Sequence, residues 1–100
     1  MGSVYVTEYA ELGIGKNGQV VQAGVEPALT TQKLTSSGTS SASSAFNAKT
    51  RFVRVHTDAI ISILFGSAPT ATASHARMGA GQTEYFAVNP GDKIAVITNT

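Results

Sequence analysis

The side chains best suited to chemistry in this chain are a histidine and a nearby carboxylate. His56 and Asp58 stand two positions apart in RFVRVHTDA, so on one extended strand both would point to the same side. A histidine oriented by a carboxylate can activate a hydroxyl nucleophile such as serine. The chain has many serines but lacks the G-x-S-x-G sequence of a nucleophile elbow. An ion pair of Asp58 with His56 or with Arg54 explains the spacing equally well.

Other chemistry-bearing residues do not form a recognisable site. His75 lies in TASHARMG, and neither histidine has a partner at a metal-ligand spacing such as H-x-H. The glycine-rich GIGKNG lacks the spacing of a phosphate-binding loop, and no helix signal follows it. The chain has no cysteine, which excludes disulfides and cysteine-based metal sites. We therefore expect no catalytic residues, no metal, no cofactor and no enzymatic activity.

The composition indicates one small domain with an unusually neutral surface. A length of 100 residues predicts a single domain spanning residues 1–100. Charged residues make up only 13% of the chain, about half of the usual share. Such a surface is either neutral throughout or covered by other subunits. Seven Lys and Arg against six Asp and Glu, with no basic run, argue against a nucleic-acid partner.

The sequence carries no membrane or export signal. It has no apolar stretch long enough for a transmembrane helix. The opening MGSVYVTEYAELG lacks the basic and apolar regions of a signal peptide. We expect a soluble protein made in a cytoplasm, with no membrane partner.

Strand signals recur along the chain, whereas helix signals are weak. SVYVTEY, ALTTQKLTS, TRFVRVHTDAIISILFG, TEYFAVN and KIAVIT are rich in β-branched and aromatic residues. Asn17-Gly18 predicts a hairpin with a two-residue type I′ turn, and Pro90-Gly91-Asp92 predicts another turn. We expect positive φ at strand ends for four glycines: Gly66, Gly79, Gly81 and Gly91. About seven or eight short antiparallel strands at this spacing predict an all-β fold, a small sandwich or barrel.

The alternation around the central strands predicts which residues face the core. Val53 and Val55 should point one way, and Phe52, Arg54 and His56 the other. The TRFVRVHTDAIISILFG segment is interpreted as a strand pair or one bent strand. Its apolar run at residues 60–65 predicts a strand buried on both faces. One face is the core of a sandwich, and the other needs a cover, such as a neighbouring subunit.

Two further segments bear on the surface. Tyr85 and Phe86 are adjacent, so if Phe86 faces the core, Tyr85 faces outward, a common arrangement at interfaces. The segment TSSGTSSASSAFNAKT is low in complexity and fits either a flexible linker or an extended segment with a mobile tip near Gly38. The extended form is favoured, because long structureless loops are uncommon in small domains. The order of residues 36–44 stays open.

The chain resembles a group of similarly small proteins encoded among the virion structural genes of tailed bacteriophages and prophages. The likeness covers nearly the whole chain, and its most characteristic pieces are RFVRVHTDA, FGSAPTATA, AGQTEYFAV and GDKIAVIT. The resemblance implies a small β-sandwich of jelly-roll type that joins the particle after synthesis in the host bacterial cytoplasm. The implied role is a capsid decoration, or cement, protein on the major capsid protein, often as a homotrimer. Head–tail junction, collar and fibre-attachment roles stay open.

If the chain is a virion protein, the outward face of the central strands would carry assembly. We expect the interface to include Phe52, Arg54, His56 and Tyr85. The alternative is that Phe52 belongs to the core and Arg54 is simply solvated.

Two other functions stay open at this point. One is a carbohydrate-binding β-sandwich that uses Tyr5, Tyr9 and Tyr85 as exposed aromatic contacts. The other is a small hydrolase that uses His56 and Asp58.

Overall fold

The computed structural model describes residues 2–14 and 16–99 and has ten β-strands and no helix in that part of the chain. The strands are β1 (Ser3–Tyr9), β2 (Leu12–Ile14), β3 (Val20–Gly24), β4 (Thr30–Thr35), β5 (Ser41–Ala42), β6 (Phe52–Thr57), β7 (Ile61–Gly66), β8 (Ala76–Met78), β9 (Thr83–Ala87) and β10 (Lys93–Thr98). The predicted all-β class is confirmed. The two strands beyond the expected eight are β5 and β8, which have too few residues to show an alternating pattern.

Eight of the strands form two four-stranded antiparallel sheets. The first sheet has the order β4-β1-β6-β9, and the second has the order β5-β10-β7-β8. From β4 onward every connection crosses between the sheets, except the one from β7 to β8. The two sheets form a β-sandwich, as predicted. The remaining strands, β2 and β3, pair only with each other and form a hairpin between β1 and β4, which we call the arm.

The core lies between the two sheets and follows the predicted alternation. Val53 and Val55 of β6 are fully buried, whereas Phe52, Arg54 and His56 on the other side are partly exposed. Ten buried side chains form the core cluster: Val4, Val6, Phe46, Val53, Val55, Ile61, Ile63, Met78, Ile94 and Val96. Burial of each aliphatic side chain contributes about 1.5–3 kcal/mol, so this cluster is the main source of the sandwich's stability.

The segment predicted as a strand pair or a bent strand is neither. β6 belongs to the first sheet and β7 to the second, and the chain crosses between them at residues 58–60. Thr57 holds this crossing, because its Oγ1 donates to the carbonyl of Ala59 at 2.6 Å. The Asp58 amide donates to the carbonyl of Ser3 at 2.9 Å. Periodicity shows both strands but not which sheet each one joins.

Part of the outer face of the second sheet is covered by the chain itself. Ser62 and Ala95 lie on that face, and both are fully buried. The connection at residues 67–75 contributes to the cover, because Asn99 Nδ2 donates both to Ser62 Oγ at 2.7 Å and to the carbonyl of Ala73 at 3.3 Å. Double-sided burial of β7 is thus confirmed for its first half. At Ser62 the cover comes from the chain's own connection rather than from a neighbouring subunit.

The turns differ in part from their predictions. Gly18 has φ 78°, but Asn17 does not have positive φ, so the arm does not end in a two-residue type I′ turn, which needs positive φ at both central positions. Gly81 and Gly91 have the expected positive φ, 79° and 84°. Gly66 and Gly79 do not.

The serine-rich segment connects the two sheets and is held by its hydroxyl groups. Ser36 Oγ accepts the Gly2 amide at 3.0 Å, Ser40 Oγ accepts the Ala71 amide at 2.9 Å, and Ser43 Oγ accepts the Ile94 amide at 3.1 Å. The segment is therefore extended, as favoured, rather than a linker. Serine suits such a crossing because its short hydroxyl satisfies backbone groups that no strand pairs.

Candidate functional site: an open sheet face and a projecting arm

The four residues predicted to form an interface lie together on the outer face of the first sheet. Arg54 of β6 is directly opposite Tyr85 of β9, and the neighbouring pairs on this face are His56 with Thr83 and Phe52 with Ala87. Tyr85 is 61% exposed, whereas Phe86 packs against the core, as the adjacent pair predicted. Phe52 also lies on this outer face, so the alternative that places it in the core is wrong.

The same face continues across β1 and β4. Tyr5 is opposite His56, and Thr7 is opposite Arg54. Lys33 of β4 is opposite Tyr5, with its Nζ 5.7 Å from the centre of the Tyr5 ring. We call this surface the open face; its residues are Tyr5, Thr7, Thr31, Lys33, Phe52, Arg54, His56, Thr83 and Tyr85. Hydroxyls and aromatic rings dominate it, and its charged groups are few.

His56 connects a carboxylate and a hydroxyl at one end of the open face. Its Nε2 lies 3.5 Å from Asp58 Oδ1, and its Nδ1 lies 2.8 Å from Thr83 Oγ1. His56, and not Arg54, is thus the partner of Asp58. The order carboxylate–imidazole–hydroxyl is that of a nucleophilic triad, but the hydroxyl belongs to a threonine and the Asp58 side chain is exposed. Water reaches the cluster freely, whereas catalytic electrostatics depend on its exclusion. The geometry fits a surface hydrogen-bond cluster better than a hydrolytic site.

The remaining candidate for chemistry, His75, has a local structural role. Its Nδ1 accepts the backbone amide of Thr72 at 2.9 Å and so closes the turn before β8. Among the described residues, no group of three or more His, Cys, Asp or Glu side chains is placed to hold a metal ion. Nor does the described part of the chain contain a helix that could cross a membrane.

Tyr9 anchors the arm to the first sheet. Its ring stacks on Phe52 with centroids 5.2 Å apart and an interplanar angle of 14°, and its hydroxyl donates to Glu26 Oε2 at 2.6 Å. Gly24, the last residue of the arm, packs closely against the Tyr9 ring. A β-carbon on Gly24 would overlap that ring. The hydrogen bond to Glu26, and then burial, raise the pKa of Tyr9 above its ordinary value. Tyr9 is therefore not an exposed carbohydrate contact, as one hypothesis required.

Glu8 is a buried polar residue that the sequence analysis did not find. Its Oε1 accepts the Asn47 amide at 2.8 Å and the Thr50 hydroxyl at 2.7 Å, and its Oε2 accepts Gln32 Nε2 at 2.9 Å. A polar pocket of about 370 Å³ adjoins it. The sequence signal for the burial of Glu8 was its position two residues after Val6 on β1, because the alternation of a strand turns both side chains inward.

A groove lies where the arm meets the open face. It has a volume of about 410 Å³ and is lined by residues of the arm base, β6 and β9: Leu12, Ala23, Gly24, Arg51, Phe52, Tyr85, Phe86 and Ala87. We call it the arm groove. At the other end of the arm, Ile14 and Val20 are cross-strand partners and are 71% and 62% exposed. We call this pair the arm tip. Neither the groove nor the tip could be predicted from the sequence, because both depend on where the arm leaves the sheet.

Fold and surface together define a β-sandwich with one outer sheet face partly covered by its own chain, one open sheet face and one projecting arm. The chain matches no known protein-family model, no curated protein and no solved structure.

Proposed function

We propose that the protein is a bacteriophage virion structural protein, a decoration or cement protein that binds the capsid through the open face. In this role it covers and bridges capsid subunits as a homo-oligomer, acts without catalysis and is located in the virion. The major capsid protein would be its principal partner. This proposal joins the surface geometry to the likeness of the sequence to small virion proteins.

The observation that carries the proposal is the difference between the outer faces of the two sheets. On the second sheet, the outward-facing Ser62 and Ala95 are fully buried within the chain. On the first sheet, Phe52, Arg54 and His56 are only partly covered, and Tyr85 is exposed. A sandwich that buries the middle of one outer face and leaves the other face open presents a surface suited to a protein partner.

The chemistry of the open face supports the same role. Aromatic residues and arginine are enriched at protein interfaces, whereas lysine and carboxylates are depleted. The open face has Phe52 and Arg54 on the inner strand β6 and Tyr85 opposite Arg54 on the edge strand β9, with hydroxyls around them. On a symmetric capsid, each copy makes a modest contact, and linked copies gain avidity through effective concentration.

The geometry of the open face bears differently on the other virion roles and on the carbohydrate-binding hypothesis. Head–tail junction, collar and fibre-attachment roles would use the same face and differ only in its partner. The carbohydrate-binding hypothesis is weakened, because Tyr9 is buried and Lys33 lies over Tyr5, which leaves Tyr85 as the only unobstructed ring of the three.

The test is electron microscopy of the virus whose genome encodes this chain, with and without the gene. We expect density at regular capsid positions that disappears with the gene and returns when purified protein is added, together with more fragile heads in its absence. Density confined to the neck or to a fibre base would replace the decoration role with a junction role. Unchanged particles would overturn a virion role altogether.

A further inference from the structure

We infer that the arm tip of one copy inserts into the arm groove of a second copy, so that copies associate head to tail. The inference goes beyond the proposed function, because it specifies how copies contact one another, and its test needs no virus particle.

The arm tip is an exposed apolar surface. Ile14 and Val20 lie opposite each other at the far end of the arm, and among the large aliphatic residues whose exposure the structure describes they are the two most exposed. A two-stranded hairpin is at best marginally stable in water without further packing. Covering this pair would therefore both bury apolar surface and stabilise the arm.

The arm groove has the chemistry to receive this tip. Its walls include Leu12, Phe52, Phe86 and Ala87, and its volume of about 410 Å³ lies within the roughly 300–1,000 Å³ of pockets that enclose ligands. It is bordered by β9, an edge strand of the first sheet. An edge strand can hydrogen-bond to an added strand, so an inserted arm meets both an apolar pocket and a strand to pair with.

The arm of the same chain does not reach this groove with its own tip. Leu12 and Ala23, at the base of that arm, form part of the groove wall, and Gly24 is held against the Tyr9 ring. Ile14 lies only two residues beyond Leu12 on the same strand, so the arm would have to fold back sharply upon itself. The tip is thus available to another molecule.

A second copy fits the groove in number. Every copy has one tip and one groove, so each tip finds one groove, and a head-to-tail contact closes into a ring when its rotation allows. Of the described residues that line the groove, Arg51 alone is charged, so an apolar tip meets a mainly uncharged surface there.

Light scattering of the purified chain tests the contact directly. We expect a concentration-dependent mass above that of one chain. Ile14→Asp at the tip and Ala87→Glu in the groove should each weaken association at least about tenfold. Val25→Asp is the matched control, because Val25 is 42% exposed but belongs to neither the tip nor the groove; it should associate like the wild type. A wild type that stays monomeric at high concentration, or an Ile14→Asp variant that associates normally, would overturn the inference.

Mixing experiments separate a tip-to-groove contact from any other association. The Ile14→Asp chain retains its groove and the Ala87→Glu chain retains its tip, so their mixture should form a one-to-one dimer and nothing larger. The chain has no cysteine, so Ile14→Cys and Ala87→Cys chains, mixed under oxidising conditions, should form a disulfide between copies. These cysteine variants are mild and exposed, so a lack of disulfide would count against the contact rather than against folding.

Failure of the association between copies and failure of the virion role can be told apart by experiment. Association through tip and groove without capsid binding would leave this inference standing and remove the virion role. Capsid binding by a strictly monomeric chain would overturn this inference and leave the virion role standing.

Discussion

Gly24 lies against the ring of Tyr9 so closely that no β-carbon fits between them. This contact joins the last residue of the arm to the last residue of β1, and the Tyr9 ring is in turn stacked on Phe52 of the neighbouring strand. The direction in which the arm leaves the sandwich therefore depends on one glycine and one aromatic ring.

Gly24→Ala should destabilise the fold and misdirect the arm. The new methyl group would overlap the Tyr9 ring, so either the arm or the ring must move, at a cost of about 1–3 kcal/mol. Urea denaturation measures the loss, and light scattering measures the accompanying loss of association. Gly38→Ala is the control, because a β-carbon there meets no atom; equal effects of the two substitutions would show that the contact does not hold the arm.

Tyr9 should make stability depend on pH in the alkaline range. Its pKa is raised in the folded state, so the neutral phenol is the form that folding favours. Its contribution is fully present below the unfolded value of 10.0 and is lost as pH rises through the folded pKa. In an ultraviolet titration of the folded protein, one tyrosine should ionise at a pH above the ordinary tyrosine pKa. Tyr9→Phe should remove this late ionisation, and Glu26→Gln should shift it to lower pH, because the substitution removes the carboxylate charge that disfavours tyrosinate. A titration that neither substitution alters would contradict this account.

Glu8→Gln should destabilise the fold despite the nearly identical shape of the side chains. Two donors, the Asn47 amide and the Thr50 hydroxyl, converge on one carboxylate oxygen, and a third donor reaches the other oxygen from Gln32. An amide nitrogen placed at either oxygen position would face donors instead of accepting from them. Because hydrogen bonds to charged groups contribute about 1.5–3 kcal/mol, we expect a loss of that size in urea denaturation. Glu11→Gln, at an exposed position, should change stability by less than about 0.5 kcal/mol.

Arg54→Glu should weaken binding to the capsid. Arg54 lies at the centre of the open face, opposite Tyr85, so the substitution places a carboxylate in the proposed interface. The expected loss is well above the roughly 0–1 kcal/mol of an exposed ion pair, measured by co-sedimentation with particles that lack the protein. Arg77→Glu makes the same charge change on β8 of the second sheet and should bind normally. Equal binding by both variants would mean that Arg54 is merely solvated.

Much of the sandwich could be predicted from local patterns. The alternation of β6 correctly assigned Val53 and Val55 to the core and Phe52, Arg54 and His56 to the outer face, because a strand turns successive side chains to opposite sides. The same geometry brought the predicted interface residues onto one surface. What alternation did not predict is that β6 and β7 lie in different sheets, since the period of a strand is the same whichever sheet it joins.

The arm also has features that local sequence patterns did not predict. Asn17-Gly18 correctly signalled a hairpin, but its turn type was wrong, and nothing nearby in sequence indicated that Gly24 would cover Tyr9. A tyrosine on the outer side of a strand is expected to be exposed, and its burial depends on a contact with a separate element of the chain.

The sequence by itself determined the strands, their inward and outward faces and the scarcity of charge, because these follow from side-chain chemistry and the two-residue period of extended backbone. Only the tertiary structure decided which sheet face is covered, where the arm groove lies and that Glu8 is buried with three donors. Those features arise where segments distant in sequence meet, and their packing depends on the whole arrangement of the two sheets.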